Sequence, residues 1–410
     1  MNTAVESVTP VKFNPFAREF VRDPYPFYHA MQRDDPYHRN RDVMVLTRFA
    51  DVKGALLNPH LSSAAIPYLV HAFQEKMGST DLHRLYELGR KAIVFTDPPE
   101  HARLRRLVGR CFRRERLEKW DATLARAAHE HVQKFETGGG DFIAGVAGPF
   151  TMQVLQELLG LPSSDAARID HWTSNLRYLL EPGFLNPQRL LKIYRLLEEC
   201  FCYMQEVVRA RRATPGDDLI SEMLRPDGDG ELLDIDEVAY SCIMVFVAGK
   251  EPTKALLGNG LHALISFPHE YAQLRDDITQ LPAVIQEMLR FDSPLQQTKR
   301  ICREPCQIGT QALAPGDNLL LCLGAANRDP EQFPDPDRFD SQRPHTANLA
   351  MSHGMHNCLG AQLSKLMASH LFTALVPRWR AIALVDPEPP RINSSFILRG
   401  FQSLQVSVTR

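Results

Sequence analysis

The sequence predicts a mainly α-helical protein with a small β-rich lobe. Apolar residues recur at helical spacing over long stretches, chiefly 151–159, 190–212 and 234–267. Segments of strand character are few and short, at 43–47, 319–323 and a weakly alternating end from 396 to 408. The breakers between them, such as Gly138-Gly139-Gly140 and the loop 214–218, punctuate the chain without forming a linker. With no internal repeat and no low-complexity segment, residues 1–410 read as a single domain.

Composition narrows the function. With 44% hydrophobic and 23% charged residues, 410 residues can bury a substantial core. A net charge of −2 gives no basis for a nucleic-acid partner. The eight cysteines are scattered, without a C-x-x-C pair, and Cys200 and Cys202 lack the companions of a zinc site, as expected of reduced thiols in a cytoplasm. No basic region followed by an apolar run opens the chain, so no signal peptide is expected. The longest uncharged apolar run, 243–249, falls far short of the ~20 residues that span a bilayer. The expectation is a soluble, cytoplasmic protein with no membrane contact.

Taken in order, Asp23-Pro24-Tyr25-Pro26 opens a helix toward Met31, and 49–57 is helical after the strand at 43–47. Residues 61–79 look irregular, with Pro67 and Gly78 as breakers. Asp97-Pro98-Pro99-Glu100 starts the next helix, because proline suits a first turn and an acid suits the positive end of the helix dipole. Its His101 and Arg105, four apart, share a face, while Arg103, Arg106, Arg110, Arg113 and Arg114 form a cationic stripe on the opposite side. Asp234 and Glu237 have capping-box spacing at the start of a long apolar helix that ends near Phe267. From Ile278 a further helix carries Glu287 and Arg290, three apart and able to pair. Residues 294–300 then run extended, Pro315-Gly316-Asp317 turns into 319–323, and 396–408 reads as a closing hairpin.

The stretch 351–360, MSHGMHNCLG, holds a cysteine just before a helical pattern. At that place Cys358 lies near free N–H groups and the positive end of the dipole, which favour the metal-binding thiolate. Gly354 permits a tight bend, and Gly360 permits close packing of the new helix against a flat cofactor. His356 is placed to reach an acidic group on that cofactor's rim.

Four patterns now stand in order: DPPEHxxxR, AGxE in the long helix, ExxR, and Gly-x-x-x-Cys-x-Gly. Together they resemble the cytochromes P-450 over nearly the whole chain, and chance would hardly give this order across about 260 residues. The resemblance implies a cytochrome P-450 fold and a soluble, bacterial-type haem-thiolate monooxygenase of secondary metabolism. Its cofactor would be haem b (iron protoporphyrin IX), with Cys358 as the iron ligand. His101, Arg105, Arg300 and His356 would hold the propionates, and Ala248 and Gly360 would lie against the ring. Glu287 and Arg290 would form a structural pair closed by a third arginine, Arg338 or Arg343. Residues 177–189 would connect two lid helices, and 61–79 would be a flexible segment over the substrate. A small hydrophobic substrate of terpenoid, polyketide or fatty acyl type is implied, with a ferredoxin and its reductase or a flavoprotein as electron donor. The enzyme would be a monomer, with the arginine stripe suited to an acidic ferredoxin.

The chain departs from the pattern twice. Met351 and Ser352 stand where the family has Phe-Gly, and methionine can fill the space of the aromatic ring. In Ala248-Gly249-Lys250-Glu251-Pro252-Thr253, proline replaces the threonine that helps deliver protons to the reacting oxygen. Proline frees the carbonyl four residues back and costs ~3 kcal/mol in a helix interior relative to alanine. Glu251, Pro252 and Thr253 are the catalytic candidates, with Thr253 rotated ~100° from the missing hydroxyl. A peroxide-driven enzyme and a haem-binding sensor or carrier remain open beside the monooxygenase.

Overall fold

The fold is centred on its longest helix, Ile235–Ser266. A capping box sets its start: Asp234 accepts from the Glu237 N–H at 2.7 Å, and the Glu237 carboxylate accepts from the Asp234 N–H at 2.8 Å. Beyond this first turn the helix is apolar nearly all round, so it is buried on most sides by Gly148–Leu158, Ala166–Leu176, Pro187–Ala213, Leu281–Phe291 and Ala361–Leu375. Gly260 lets one neighbour come close, because a Cβ there would meet Met288 Sδ at 2.5 Å. The structure is a computed structural model that describes residues 13–77, 81–136, 139–181, 185–344 and 347–410. Among these, no helix is long and apolar enough to cross a membrane.

The β-rich lobe is a five-stranded sheet in the spatial order Tyr37–Asn40, Val43–Leu46, Asn318–Cys322, Gln297–Cys302 and Leu61–Ser62. Val43–Leu46 and Asn318–Cys322 are parallel and the other pairs antiparallel. Met44, Leu46, Leu319, Leu321 and Phe333 give this lobe a core of its own. The expected hairpin within 396–408 does not form. Gln405–Thr409 pairs instead with Ala381–Leu384 and Gly140–Asp141, partners too distant in sequence for local alternation to reveal. Residues 61–79 also differ from expectation, since Ala65–Met77 is a helix. Pro67 falls in its first turn, where a missing N–H loses no helix bond; Gly78 lies outside the described residues.

Two buried polar networks tie the lobes together. Arg290 donates to Glu287 at 2.7 and 2.8 Å and to the carbonyls of Asn327, Pro336 and Arg338 at 2.9–3.0 Å. Arg343, rather than Arg338, completes this pair, with Nε 3.5 Å from Glu287. The backbone of 336–338 turns toward Arg290, so the Arg338 side chain is left exposed and only its carbonyl takes part. In the second network Asp292 accepts from Tyr25 at 2.9 Å, Arg399 at 2.6 Å and Arg391 at 3.0 Å. Asn259 of the central helix donates to the carbonyls of Asp292 and Arg399 at 3.0 Å.

Burial alone would push the Asp292 carboxyl up, but Arg399 and Arg391 outweigh it and hold it far below the usual carboxylate range. A depressed carboxylate contributes stability that is present above its unfolded pKa, ~3.9, and is lost only as pH falls through the folded value. Asp292→Asn should therefore lower stability by ~3–5 kcal/mol, because it leaves two buried guanidiniums short of charge. Denaturant unfolding at pH 6 and pH 8 should give the same loss, and a loss confined to one pH would contradict this account.

Candidate active site

The cysteine loop is built by backbone geometry. Gly354 has φ 72°, and a Cβ there would meet the Leu56 carbonyl at 3.0 Å, so only glycine fits. Ser352 holds φ 61° without that freedom, a strain of about 1–2 kcal/mol. Met351 packs against the helical core, and its carbonyl accepts the Cys358 N–H at 2.7 Å. The helix Ala361–Leu375 follows, with Gly360 as its N-cap. Cys358 opens onto solvent-accessible space although protein surrounds it closely. Burial pushes its thiol up, against the Gly360 N–H, Arg105 and Lys365. The helix end alone therefore does not make the expected thiolate; a metal ion would have to displace the proton.

Around the cysteine stand four groups from three parts of the fold. His101 and Arg105 come from the helix Glu100–Gly109, Arg300 from Gln297–Cys302, and His356 from the cysteine loop. The His101 and His356 rings are 4.1 Å apart. Burial, then Arg300, His101 and Arg105, drive the His356 imidazole down to about 3. Burial, then Arg105 and Arg300, lower His101, against Asp97. Arg300 is 5% exposed and among the described residues donates only to Thr298 Oγ1 and the Lys299 carbonyl, and burial lowers it to about 10. His101 Nε2 is buried with no hydrogen-bond partner among the described residues. Arg105 is held by Asn357, through its carbonyl at 2.7 Å and its side-chain oxygen. A Cβ on Gly360 would meet nothing within 4 Å, which leaves room beside the thiol for a flat group. Cations and an orphaned donor around an open space fit an anionic planar ligand, and the thiol fits its metal.

A family model described as Cytochrome P450 matches residues 151–407. The chain is 31% identical over 400 residues, 95% of its length, to cytochrome P-450 monooxygenase PikC of Streptomyces venezuelae, of which it covers 92%. The chain belongs to the cytochrome P-450 family. It is also 31% identical to the 6-deoxyerythronolide B hydroxylase of Saccharopolyspora erythraea, over 89% of this chain and 90% of that one. A crystal structure of P450BioI in complex with hexadec-9Z-enoic acid ligated acyl carrier protein superposes with a TM-score of 0.86 at 26% identity, covering 95% and 99% of the two chains. This P-450 is therefore an oxidoreductase with a haem cofactor and a monooxygenase fold, and the sensor or carrier reading is set aside.

The central helix of this P-450 stays continuous through Pro252. Ala248 is exposed in a helix otherwise largely buried, and Pro252 lies about 40° from it, on the same face. Thr253 is turned ~140° away. It is buried, with Oγ1 3.3 Å from Ser364 Oγ in the helix after Cys358, a contact that joins the two helices. Glu251 does not point free either. Its Oε2 is 2.7 Å from Lys254 Nζ and its Oε1 3.2 Å from Lys250 Nζ. Burial pushes its carboxyl up, but the two lysines prevail and hold it below the usual range.

The arginine stripe is not the free cationic surface expected. Arg103 pairs with Glu100, Glu231 and Glu237 at 2.7 Å, Arg106 with Asp227 and Glu231, and Arg110 donates to the carbonyls of Glu222, Arg225 and Pro226. The segment before the central helix folds back over this face and neutralises it; Arg113 stays exposed. Sequence reasoning missed Asn357 and Lys250. The polar residue beside the cysteine was the signal for the first, and a lysine inside an apolar helix was the signal for the second.

Because Arg300 forms no close ion pair among the described residues, Arg300→Leu should speed haem loss. Transfer of haem to an excess of apomyoglobin should run roughly tenfold faster than in wild type, the value of one charge-assisted contact. An unchanged transfer rate would remove Arg300 from the haem site.

Proposed function

We propose that residues 1–410 form a single-domain, monomeric, cytoplasmic haem-thiolate monooxygenase that oxidises a bulky apolar molecule of polyketide, terpenoid or fatty acyl type. Electrons would come from a ferredoxin and its reductase or from a flavoprotein. The observation that carries this reading is the Cys358 thiol set beside four cationic or imidazole groups that form no close ion pair with a carboxylate among the described residues. The substrate class is supported by the names of the relatives, a 6-deoxyerythronolide B hydroxylase and a P-450 bound to an acylated carrier protein.

Each residue then has a task. Cys358 would ligate iron through Sγ and lose its proton as it binds. His101, Arg105, Arg300 and His356 would hold the two propionates of haem b, and Gly360 would leave room for the ring. Haem, when bound, supplies the oxygen and one-electron chemistry. Glu287, Arg290 and Arg343 would keep the segment leading to the cysteine loop in register.

The distal side is where this chain departs from its family. Pro252 puts a pyrrolidine ring on the Ala248 face in place of a hydroxyl. It has no N–H for the Ala248 carbonyl, which is left as an acceptor able to order water. Glu251 can deliver a proton only after releasing a lysine. A positioned proton donor is worth ~10²–10⁴ in rate, so water at Ala248 or a polar group of the substrate would take the place of the threonine.

Pro252→Thr tests this. Product formed and peroxide released per NAD(P)H consumed should shift by at least about twofold, or the product distribution should change. Identical coupling and products would leave Pro252 with a helical role only. Full turnover with hydrogen peroxide and no NAD(P)H would assign the peroxide-driven reading instead.

A further inference from the structure

The helices Ala166–Leu176 and Ile235–Ser266 share one buried ammonium group. Lys250 is 4% exposed, and a lysine so deep in a protein keeps its charge only if its three N–H donors are met. They are met by the Asp170 carboxylate, by Ser174 Oγ at 3.2 Å and by Glu251 Oε1 at 3.2 Å. Two of these partners lie on Ala166–Leu176. Asp170–Lys250 is the one ion pair between the two helices among the described residues.

The two ends of this contact differ. The Asp170 side chain is 53% exposed, so water can compete for it. Glu251 is only 12% exposed and has its other oxygen fixed by Lys254. If Ala166–Leu176 lifts, Lys250 loses two of its three acceptors. A buried ammonium in that state must draw in water or turn fully onto Glu251. Either response moves the Glu251 carboxylate, one residue before Pro252.

We propose that Lys250 is a positioning residue that seats Ala166–Leu176 on the central helix and, through the same ammonium, fixes the Glu251 carboxylate only while that helix is seated. The link to Glu251 rests on the reading of the distal side given above; the seat itself does not.

The test compares holoenzyme variants Asp170→Asn, Lys250→Met and Lys250→Arg. Three quantities are read: amide hydrogen exchange over 166–176, the dissociation rate of the haem-ligating probe 4-phenylimidazole, and peroxide released per NAD(P)H with a surrogate ferredoxin and reductase. Asp170→Asn and Lys250→Met should each raise exchange and dissociation about three- to tenfold, and Lys250→Arg should stay near wild type. Asp170→Asn leaves the Lys250–Glu251 contact in place, yet it should also raise the peroxide yield. Faster exchange without that rise would overturn the link to Glu251, and unchanged exchange and dissociation would overturn the seat. Because exchange and dissociation do not depend on how protons are delivered, a neutral result for Pro252→Thr would leave the seat standing.

Discussion

Four side chains that repel one another when charged, His101, Arg105, Arg300 and His356, are held around one space beside a thiol. Helix, strand and loop converge there, so the three segments can meet only if something else holds them. That support comes from apolar packing on the central helix and from two buried carboxylates that join separate segments. Glu287 fixes Arg290 against the backbone of 336–338, and Asp292 joins Tyr25, Arg391 and Arg399. Asp97 acts on His101 and Arg300 without outweighing burial, which leaves the cluster short of negative charge. A dianionic ligand that binds only the folded chain then adds to stability as well as supplying chemistry.

Much of this was legible in the sequence because it depends on local spacing. The capping box at Asp234, the i, i+3 pair Glu287–Arg290 and the shared face of His101 and Arg105 follow from helical geometry. The bend at Gly354 follows from a backbone that a side chain would block. Features fixed by distant partners were not legible. Gln405–Thr409 pairs with strands at 381–384 and 140–141, which no alternation within 396–408 could reveal. The choice of Arg343 over Arg338 depends on how the backbone of 336–338 turns. The stripe of arginines looked free in sequence because the acids that cover it, Asp227 and Glu231, lie more than a hundred residues on.

The central helix shows how one substitution spreads. Proline at 252 removes a hydroxyl from the face that carries Ala248, and the neighbouring polar groups do not fill the gap. Thr253 is committed to Ser364 and Glu251 to two lysines. Glu251, a catalytic candidate in the sequence, is joined to Lys250 and Lys254 in a ladder that leads outward to Asp170. The polar residues of this segment thus tie the central helix to its neighbours.

All of this depends on Cys358 being the iron ligand. The most direct measurement is the absorption spectrum of the reduced, carbon monoxide-treated protein, wild type against Cys358→Ala. The account predicts the strongly red-shifted Soret band of thiolate ligation in the wild type and its loss in the variant. A wild type without that band, or a variant that keeps it, would contradict the account.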